Sequence, residues 1–184
     1  MKKYLLVVIF GIITVKAQHI SKNHFWGIQA GILGANIYNE YTLSKEFVLR
    51  AEMGLMISIR GGDFFSNSVV VLAPEINLSP KWYYNLKERK IKGKNIDYNS
   101  GDFIALDAGF IPDWFLISNY RDYIYINSMI YLIPTWGLRR NFAKNFNYEF
   151  KFGIGIRHYT DSYNVFNNKT AAIPNISFRI GCDF

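Results

Sequence analysis

An all-β chain closing into an up-and-down antiparallel transmembrane β-barrel, with eight strands, is what this sequence predicts, and three observations predict it. The last segment, Ile173 to Phe184, alternates apolar and polar residues and ends on an aromatic. Successive side chains of a strand point to opposite faces, so Ile176, Phe178, Ile180, Cys182 and Phe184 share one face and Asn175, Ser177, Arg179, Gly181 and Asp183 the other. The segment Phe146 to His158 repeats the pattern at a length that suits a tilted membrane strand of about 9 to 11 residues with an extension. Aromatics make up 17% of the chain, Gly and Asn are frequent, and capped helical periodicity is absent.

The amino terminus reads as a secretory signal peptide over residues 1–17. Lys2 and Lys3 precede an apolar run from Tyr4 to Thr14, and Val15-Lys16-Ala17 offers the small or apolar residues a signal peptidase reads. The run is too short for a membrane-spanning helix of about 20 residues. Cleavage after Ala17 leaves residues 18–184 as one barrel domain starting at Gln18, and Gln rather than Cys there offers no lipoprotein anchor. It also removes Lys2, Lys3 and Lys16 from the 21 basic residues, leaving 18 against 14 acidic ones and a net charge of +4. That mild balance argues against nucleic acid as a partner. Cys182 is the only cysteine, which excludes an internal disulfide and a Cys-based metal cluster.

The strands follow in order. Phe25 to Tyr41 alternates but loses phase near Gly34-Ala35-Asn36, so it is either one long strand or a short hairpin; the even strand number of single-chain bacterial barrels favours the hairpin. Phe47 to Arg60 sets Phe47, Leu49, Ala51, Met53, Leu55 and Ile57 against Val48, Arg50, Glu52, Gly54, Met56 and Ser58. Three weaker strands are predicted at Val70 to Tyr84, Phe103 to Phe115 and Tyr123 to Gly137, with Pro74, Pro80, Pro112 and Pro134 read as bends or bulges near strand ends. Phe146 to His158 and Ile173 to Phe184 complete the eight. If Phe184 lies in the periplasm, the segments from Gly61, Ser118 and Thr160 are extracellular; the long Asn85 to Gly101 segment then falls on the periplasmic side, where turns are usually short.

Alternation alone fits a lipocalin-like barrel turned inside out equally well. The composition of the polar face separates the two. It holds Arg50, Glu52, Arg60, Glu75, Lys81, Asp107, Asp113, Glu149, Lys151, Arg157, Arg179 and Asp183, mixed in sign and interleaved with glycines such as Gly54, Gly109 and Gly153. Glycine weakens an exposed strand, but it makes room for long charged side chains in a narrow interior. Trp26, Phe47, Trp82, Tyr84, Trp114, Trp136 and Phe146 near strand ends resemble an interfacial girdle.

The run Ala73-Pro74-Glu75 to Trp82-Tyr83-Tyr84-Asn85-Leu86, then Asn99-Ser100-Gly101-Asp102-Phe103, Pro112-Asp113-Trp114-Phe115, Ile133-Pro134-Thr135-Trp136-Gly137 and Gly153-Ile154-Gly155-Ile156, resembles an uncharacterised outer-membrane β-barrel family of Bacteroidetes. Asp102 departs from the neutral residue expected after Ser-Gly. The resemblance spans nearly the whole mature chain and implies a small OmpA/OmpX-like barrel of a Gram-negative cell envelope, located in the cell outer membrane, with no assigned activity to transfer.

One segment invites an enzyme reading. His158 could act as base, with Thr160 or Ser162 as nucleophile and Asp161 or Glu149 as orienter, as in barrels that modify lipid A at the rim. The spacing matches no recognised motif, and a ring in the outward phase at a strand end sits well at headgroups. Lys87, Arg89, Lys90, Lys92 and Lys94 form a basic run whose simpler reading is a solvated turn. His19 and His24 lack partners at metal-ligand spacing. The sequence thus leads to a barrel with a packed polar lumen and a structural or surface-interaction role, no enzyme, with no catalytic, cofactor-binding or metal residues. Its expected partners are outer-membrane lipid and lipopolysaccharide, and the barrel-assembly machinery through the strand ending at Phe184; a monomer is expected. The alternatives are a lipid A-modifying enzyme and a small channel.

Overall fold

The computed structural model describes residues 24–60, 69–119, 126–160 and 169–184. The signal peptide, Ser162, Asp161, the Arg60 side chain and the 123–125 end of one predicted strand lie outside them. The elements are β1 (His24–Gly31), β2 (Gly34–Thr42), β3 (Phe47–Arg60), β4 (Val69–Trp82), a short helix α1 (Leu86–Ile91), β5 (Asp102–Ile111), a two-residue β6 (Ile117–Ser118), β7 (Met129–Phe142), β8 (Phe146–Tyr159) and β9 (Thr170–Asp183). Every pairing is antiparallel. The order β3-β2-β1-β9-β8-β7-β5-β4 returns to β3, so eight strands close into a barrel and β6 adds a two-residue patch on β4.

The amino-terminal region is the hairpin and not the single strand. Gly31 pairs with Gly34 around Ile32-Leu33, and this two-residue turn is where the alternation lost phase. Gly34 takes a φ of 143°, which a side chain would resist. The other strands are found with shifted ends. The one predicted from Val70 to Tyr84 ends at Trp82, that from Phe103 to Phe115 runs Asp102–Ile111, and that from Tyr123 to Gly137 runs Met129–Phe142. The β7 shift matters most, because it turns Arg139 from a loop residue into an interior one.

The prolines correct another expectation. Pro80 and Pro134 sit inside β4 and β7, yet the register is the same on both sides of each: Leu78 pairs with Ala108 and Lys81 with Ala105, while Leu132 pairs with Ile156 and Thr135 with Gly153. No residue is inserted, so neither marks a bulge; the ladder skips where the N–H is missing. Pro74 also lies within β4, paired with Leu55. Extending the β4–β5 register by two residues would set Pro74 against Pro112, and this is where β5 ends and Leu72 pairs with Ile117 of β6 instead. Two facing residues without N–H groups cannot continue a ladder, so Pro112 does mark a strand end as expected.

The polarity is inverted relative to a water-soluble protein. Phe152, Ile154, Ile176 and Phe178 on the outer face are 47–63% exposed, whereas Glu149 and Lys151 on the inner face are 0 and 2%. An eight-stranded barrel is just wide enough for side chains to fill it. Around the outside, at the end that holds both termini of the barrel, aromatics form a belt: Phe47 stacks on Trp82, Trp82 meets Tyr84, and Trp136 donates to the Tyr84 hydroxyl at 2.9 Å. Phe142 stacks on Phe146 and touches Tyr148, which meets Phe178.

Inside, glycines lie under rings from the neighbouring strand. A Cβ on Gly109 would fall 2.0 Å from the Tyr131 ring, and one on Gly27 2.4 Å from Tyr38. The ring fills the space the glycine leaves, the β-barrel form of close packing. Gly109→Val should therefore push Tyr131 off its rotamer and cost about 1 to 3 kcal/mol by overpacking. Urea titration of the refolded protein measures this, and an unchanged midpoint would mean that the ring does not rest there.

Candidate functional site: the lumen and its basal cap

The interior is built from every second residue of eight strands, and its chemistry is ionic. Arg50 on β3 stands at the centre. Its Nη1 donates to Glu149 Oε2 on β8 at 2.9 Å and to Glu40 Oε1 on β2 at 3.3 Å, its Nη2 to Gln29 Oε1 at 2.6 Å, and its Nε lies 2.5 Å from Glu52 Oε1. Lys81 on β4 bridges the same two carboxylates, reaching Glu149 at 3.1 Å and Glu40 at 3.3 Å. Arg139 on β7 lies 3.6 Å from Glu149 and donates to Asp183 at 2.6 Å and to the Tyr38 hydroxyl at 2.8 Å. Lys151 on β8 meets Asp107 on β5 at 3.3 Å, and Arg179 on β9 meets Glu52 at 2.9 Å. Lys151 also stands 4.0 Å from Glu52 and from Glu149, so five cations, Arg50, Lys81, Arg139, Lys151 and Arg179, face five carboxylates, Glu40, Glu52, Asp107, Glu149 and Asp183, in one connected set.

Neutral groups complete it. Tyr38 hydrogen-bonds Asp183, Asn147 donates to Asp183 at 2.9 Å, and Ser79 and Thr135 donate to Asp107 at 2.5 and 3.1 Å. The rings of Tyr38 and Phe103 lie against cations, with the Arg50 guanidinium carbon 3.7 Å from the Tyr38 centroid and Lys81 Nζ 4.3 Å from that of Phe103. Burying charge is costly unless each is paired and hydrogen-bonded, and here each ion has an opposite neighbour.

The segment between β4 and β5 closes the lower end. Tyr83, Leu86, Phe103, Val48 and Ala105 form an apolar cluster, with Ile96 packed against it. Asn99 donates to Glu40 Oε2 at 2.8 Å and Tyr83 to Glu40 Oε1 at 3.2 Å, so the cap is tied into the ion network. Burial, reinforced by Glu40, lifts the Tyr83 phenol well above its ordinary range and keeps it a donor. Asn85 holds Asp102 through both ends of its amide, at 2.6 and 2.8 Å, and Asp102 pairs with Arg140. Helix α1 stops where Gly93 turns left-handed, φ 65°, with its N–H on Lys90 O. The expected long turn is therefore a folded plug, and its basic residues line its surface: Lys87, Lys90 and Lys94 are exposed, Lys92 pairs with Glu88, and Arg89 bonds Asn95 O at 3.0 Å.

Above the network the lumen changes character. Inward residues there are only half-buried, among them Met56, Ser58, Glu75, Tyr131, Gly155 and Arg157. Tyr131 donates to Glu75 at 2.6 Å. Val69, Val71, Ala73, Ile111 and Ile133 are buried apolar residues of the same upper walls. The interior is thus packed and ionic below, looser and partly apolar above.

The charged residues named from sequence fall mostly inside. Asp113 does not; it is exposed beyond the end of β5. Sequence reasoning missed Arg139, which lies beyond the predicted strand end at Gly137, and Tyr38 and Glu40, which follow the break in phase. Alternation restarted after Ile32-Leu33 would have put Asn36, Tyr38 and Glu40 in the interior set.

At the opposite rim, His158 Nδ1 is 2.8 Å from Thr170 Oγ1 on the outer face. This is a hydroxyl other than the two proposed: Thr160 instead donates to Ser128 O at 3.1 Å. Glu149 cannot orient His158, because it lies inside, fully buried, nine residues along the strand toward the other end. Among the described residues no group of three or more His, Cys, Asp or Glu could hold a metal ion. Comparison with protein-family models finds no match, and comparison with curated proteins finds none either.

Replacing Glu149 by Ala should leave Arg50 and Lys81 short of a carboxylate in a fully buried site and cost about 3 to 5 kcal/mol. Equilibrium unfolding in urea measures it; a loss within the error of the titration would show that water replaces the carboxylate and the lumen is open.

Proposed function

We propose that this chain is an outer-membrane β-barrel protein with a structural or surface-interaction role, a monomer of the small OmpA/OmpX-like kind resembling a Bacteroidetes family. The single observation that carries the reading is the inverted polarity: a closed barrel whose interior holds an ion network and whose outer face is mostly apolar, with an aromatic belt at the end that holds both termini. Closure leaves few sheet edges, and every spanning structure in a bilayer must satisfy its backbone internally. The aromatic belt sits where Trp and Tyr favour a membrane-water interface. No described helix is long and apolar enough to cross a membrane, which bears on helices alone. The basal plug and the neutral ion pairs support a closed lumen over a channel. Lipid and lipopolysaccharide are then the surroundings, and the strand ending at Phe184 is what assembly machinery would engage.

Fractionation tests the location: mature protein starting at Gln18 should travel with the outer membrane, and recovery as a soluble periplasmic protein would overturn the reading. Refolding into vesicles tests the wall, where Phe152→Arg near mid-strand should cost about 2 to 4 kcal/mol and Phe146→Arg at the strand end about 0 to 1. Equal, negligible losses would place this face elsewhere than in lipid. Planar-bilayer recording should show no steady ion-selective current.

The His158–Thr170 contact favours a second reading, a rim enzyme acting on lipid acyl esters with Thr170 as nucleophile and His158 as base. Purified protein should then release fatty acid from lipid A and lose that release in His158→Ala. Absence of release from the unaltered protein leaves the contact a cross-strand hydrogen bond.

A further inference from the structure

Among the described residues the barrel wall is incomplete at its upper end, and the ladder registers locate the opening. β9 pairs with β8 up to His158↔Thr170 but with β1 only up to Gly31↔Arg179. On the other flank β3 pairs with β4 up to Arg60↔Val69 but with β2 only up to Gly34↔Met56, beyond which Leu33 O accepts the Ile57 N–H at 2.8 Å. The β1–β2 hairpin therefore stops short, and above its tip Thr170 to Phe178 of β9 meet no described strand on that side.

The parity of the bonds says which groups face the gap. Trp26 and Phe184 exchange both backbone hydrogen bonds, at 3.1 and 2.9 Å, so even-numbered residues of β9 direct their N–H and C=O toward β1. Above the tip these are Phe178, Ile176, Pro174 and Ala172. Pro174 brings no N–H, which protects an open edge and interrupts any added strand. The N–H groups of Ile176 and Phe178 remain without a partner among the described residues, and such groups are not left against hydrocarbon. At the floor of the gap, level with Gly31, stands Arg179. It gives Glu52 one contact at 2.9 Å and keeps its side chain 18% exposed, while the other four cations of the ion network are at 2% or below. Immediately below on the outer face, a groove of about 580 Å³ runs over the small residues Ala30 and Ala35 between Ile37, Met53, Leu55 and Ile180.

We propose that this notch binds one lipid of the surrounding bilayer carrying a phosphate head, the head entering between β9 and β3 to meet Arg179 and the Ile176 and Phe178 N–H groups, and one acyl chain lying in the groove. The donors at the notch call for an acceptor-rich anion, since guanidinium and backbone N–H groups hydrogen-bond phosphate oxygens. The apolar groove calls for a chain attached to it. A peptide strand fits less well, because Pro174 breaks the ladder it would need. The inference rests on the outer-membrane reading.

Its test is native mass spectrometry of the full mature chain refolded in neutral detergent and supplied with dioleoyl phosphatidic acid or with dioleoylglycerol, which has the same chains and no phosphate. Phosphatidic acid should be retained at least about tenfold more tightly than dioleoylglycerol. Arg179→Gln should remove that preference while Ala35→Trp, which fills the groove from outside the lumen, weakens retention of both lipids. Equal retention of the two lipids by the unaltered protein, or unaltered selectivity in Arg179→Gln and unaltered retention in Ala35→Trp, would overturn the inference. Should Arg179→Gln fail to refold because Glu52 loses a partner, the comparison of lipids and Ala35→Trp decide alone. A chain that stays soluble and folded without detergent overturns the membrane reading instead, an outcome distinct from a folded barrel without lipid preference.

Discussion

Arg50 and Glu149 meet at 2.9 Å although β3 and β8 are not neighbours in the barrel. The contact spans the lumen, so it ties together walls that the ladders join only by the long way round. Lys81 lies against the same Glu149, and Arg139 reaches it from a fourth strand. A carboxylate held by cations from three strands fixes where those strands stand relative to β8. In a buried site such pairing contributes little net stability compared with apolar packing, but a misregistered strand would strand a charge and cost several kcal/mol. The network therefore acts chiefly as a selector of register, in a fold where a one-residue slip exchanges the two faces of a strand.

The plug extends that logic. Asn99 and Tyr83 are fastened to Glu40, so the docking of the segment 83–101 depends on where β2 holds Glu40. Its apolar cluster then covers the lower end of the ion set and keeps water from competing for the pairs, which strengthens each of them. The belt of aromatics outside and the plug inside occupy the same end of the barrel.

The fold was legible because its two signals are redundant along long strands. In Phe146–Tyr159 fourteen residues alternate, and one misplaced residue cannot hide the period. It failed where strands are short or interrupted: the β1–β2 hairpin turns on Ile32-Leu33, apolar residues that send no turn signal. Prolines misled for a physical reason. A missing N–H forbids one hydrogen bond, and it does not oblige the chain to insert a residue, so Pro80 and Pro134 leave the register intact. The individual charges of the lumen could be listed from their phase. Their partners could not, because Arg50 and Glu149 are 99 residues apart and nothing local in the chain encodes which charges will face each other across the axis. The His158–Thr170 contact is of the same kind, a cross-strand neighbour fixed by the β8–β9 register.

The division of the lumen also has a physical origin. Shear staggers the strands, and a barrel whose first hairpin is eight or nine residues per strand while its other long strands reach fourteen cannot be closed to one height. Wherever the wall is complete, opposing charges are held close enough to pair and to exclude water. Above the tip of the short hairpin no described strand stands between β9 and β3, and there Met56, Ser58, Arg157 and Asn175 stay partly exposed while Glu149 and Lys151 do not. Arg179 stands near the boundary between these halves, so its one committed contact to Glu52 couples the closed part of the barrel to the open one.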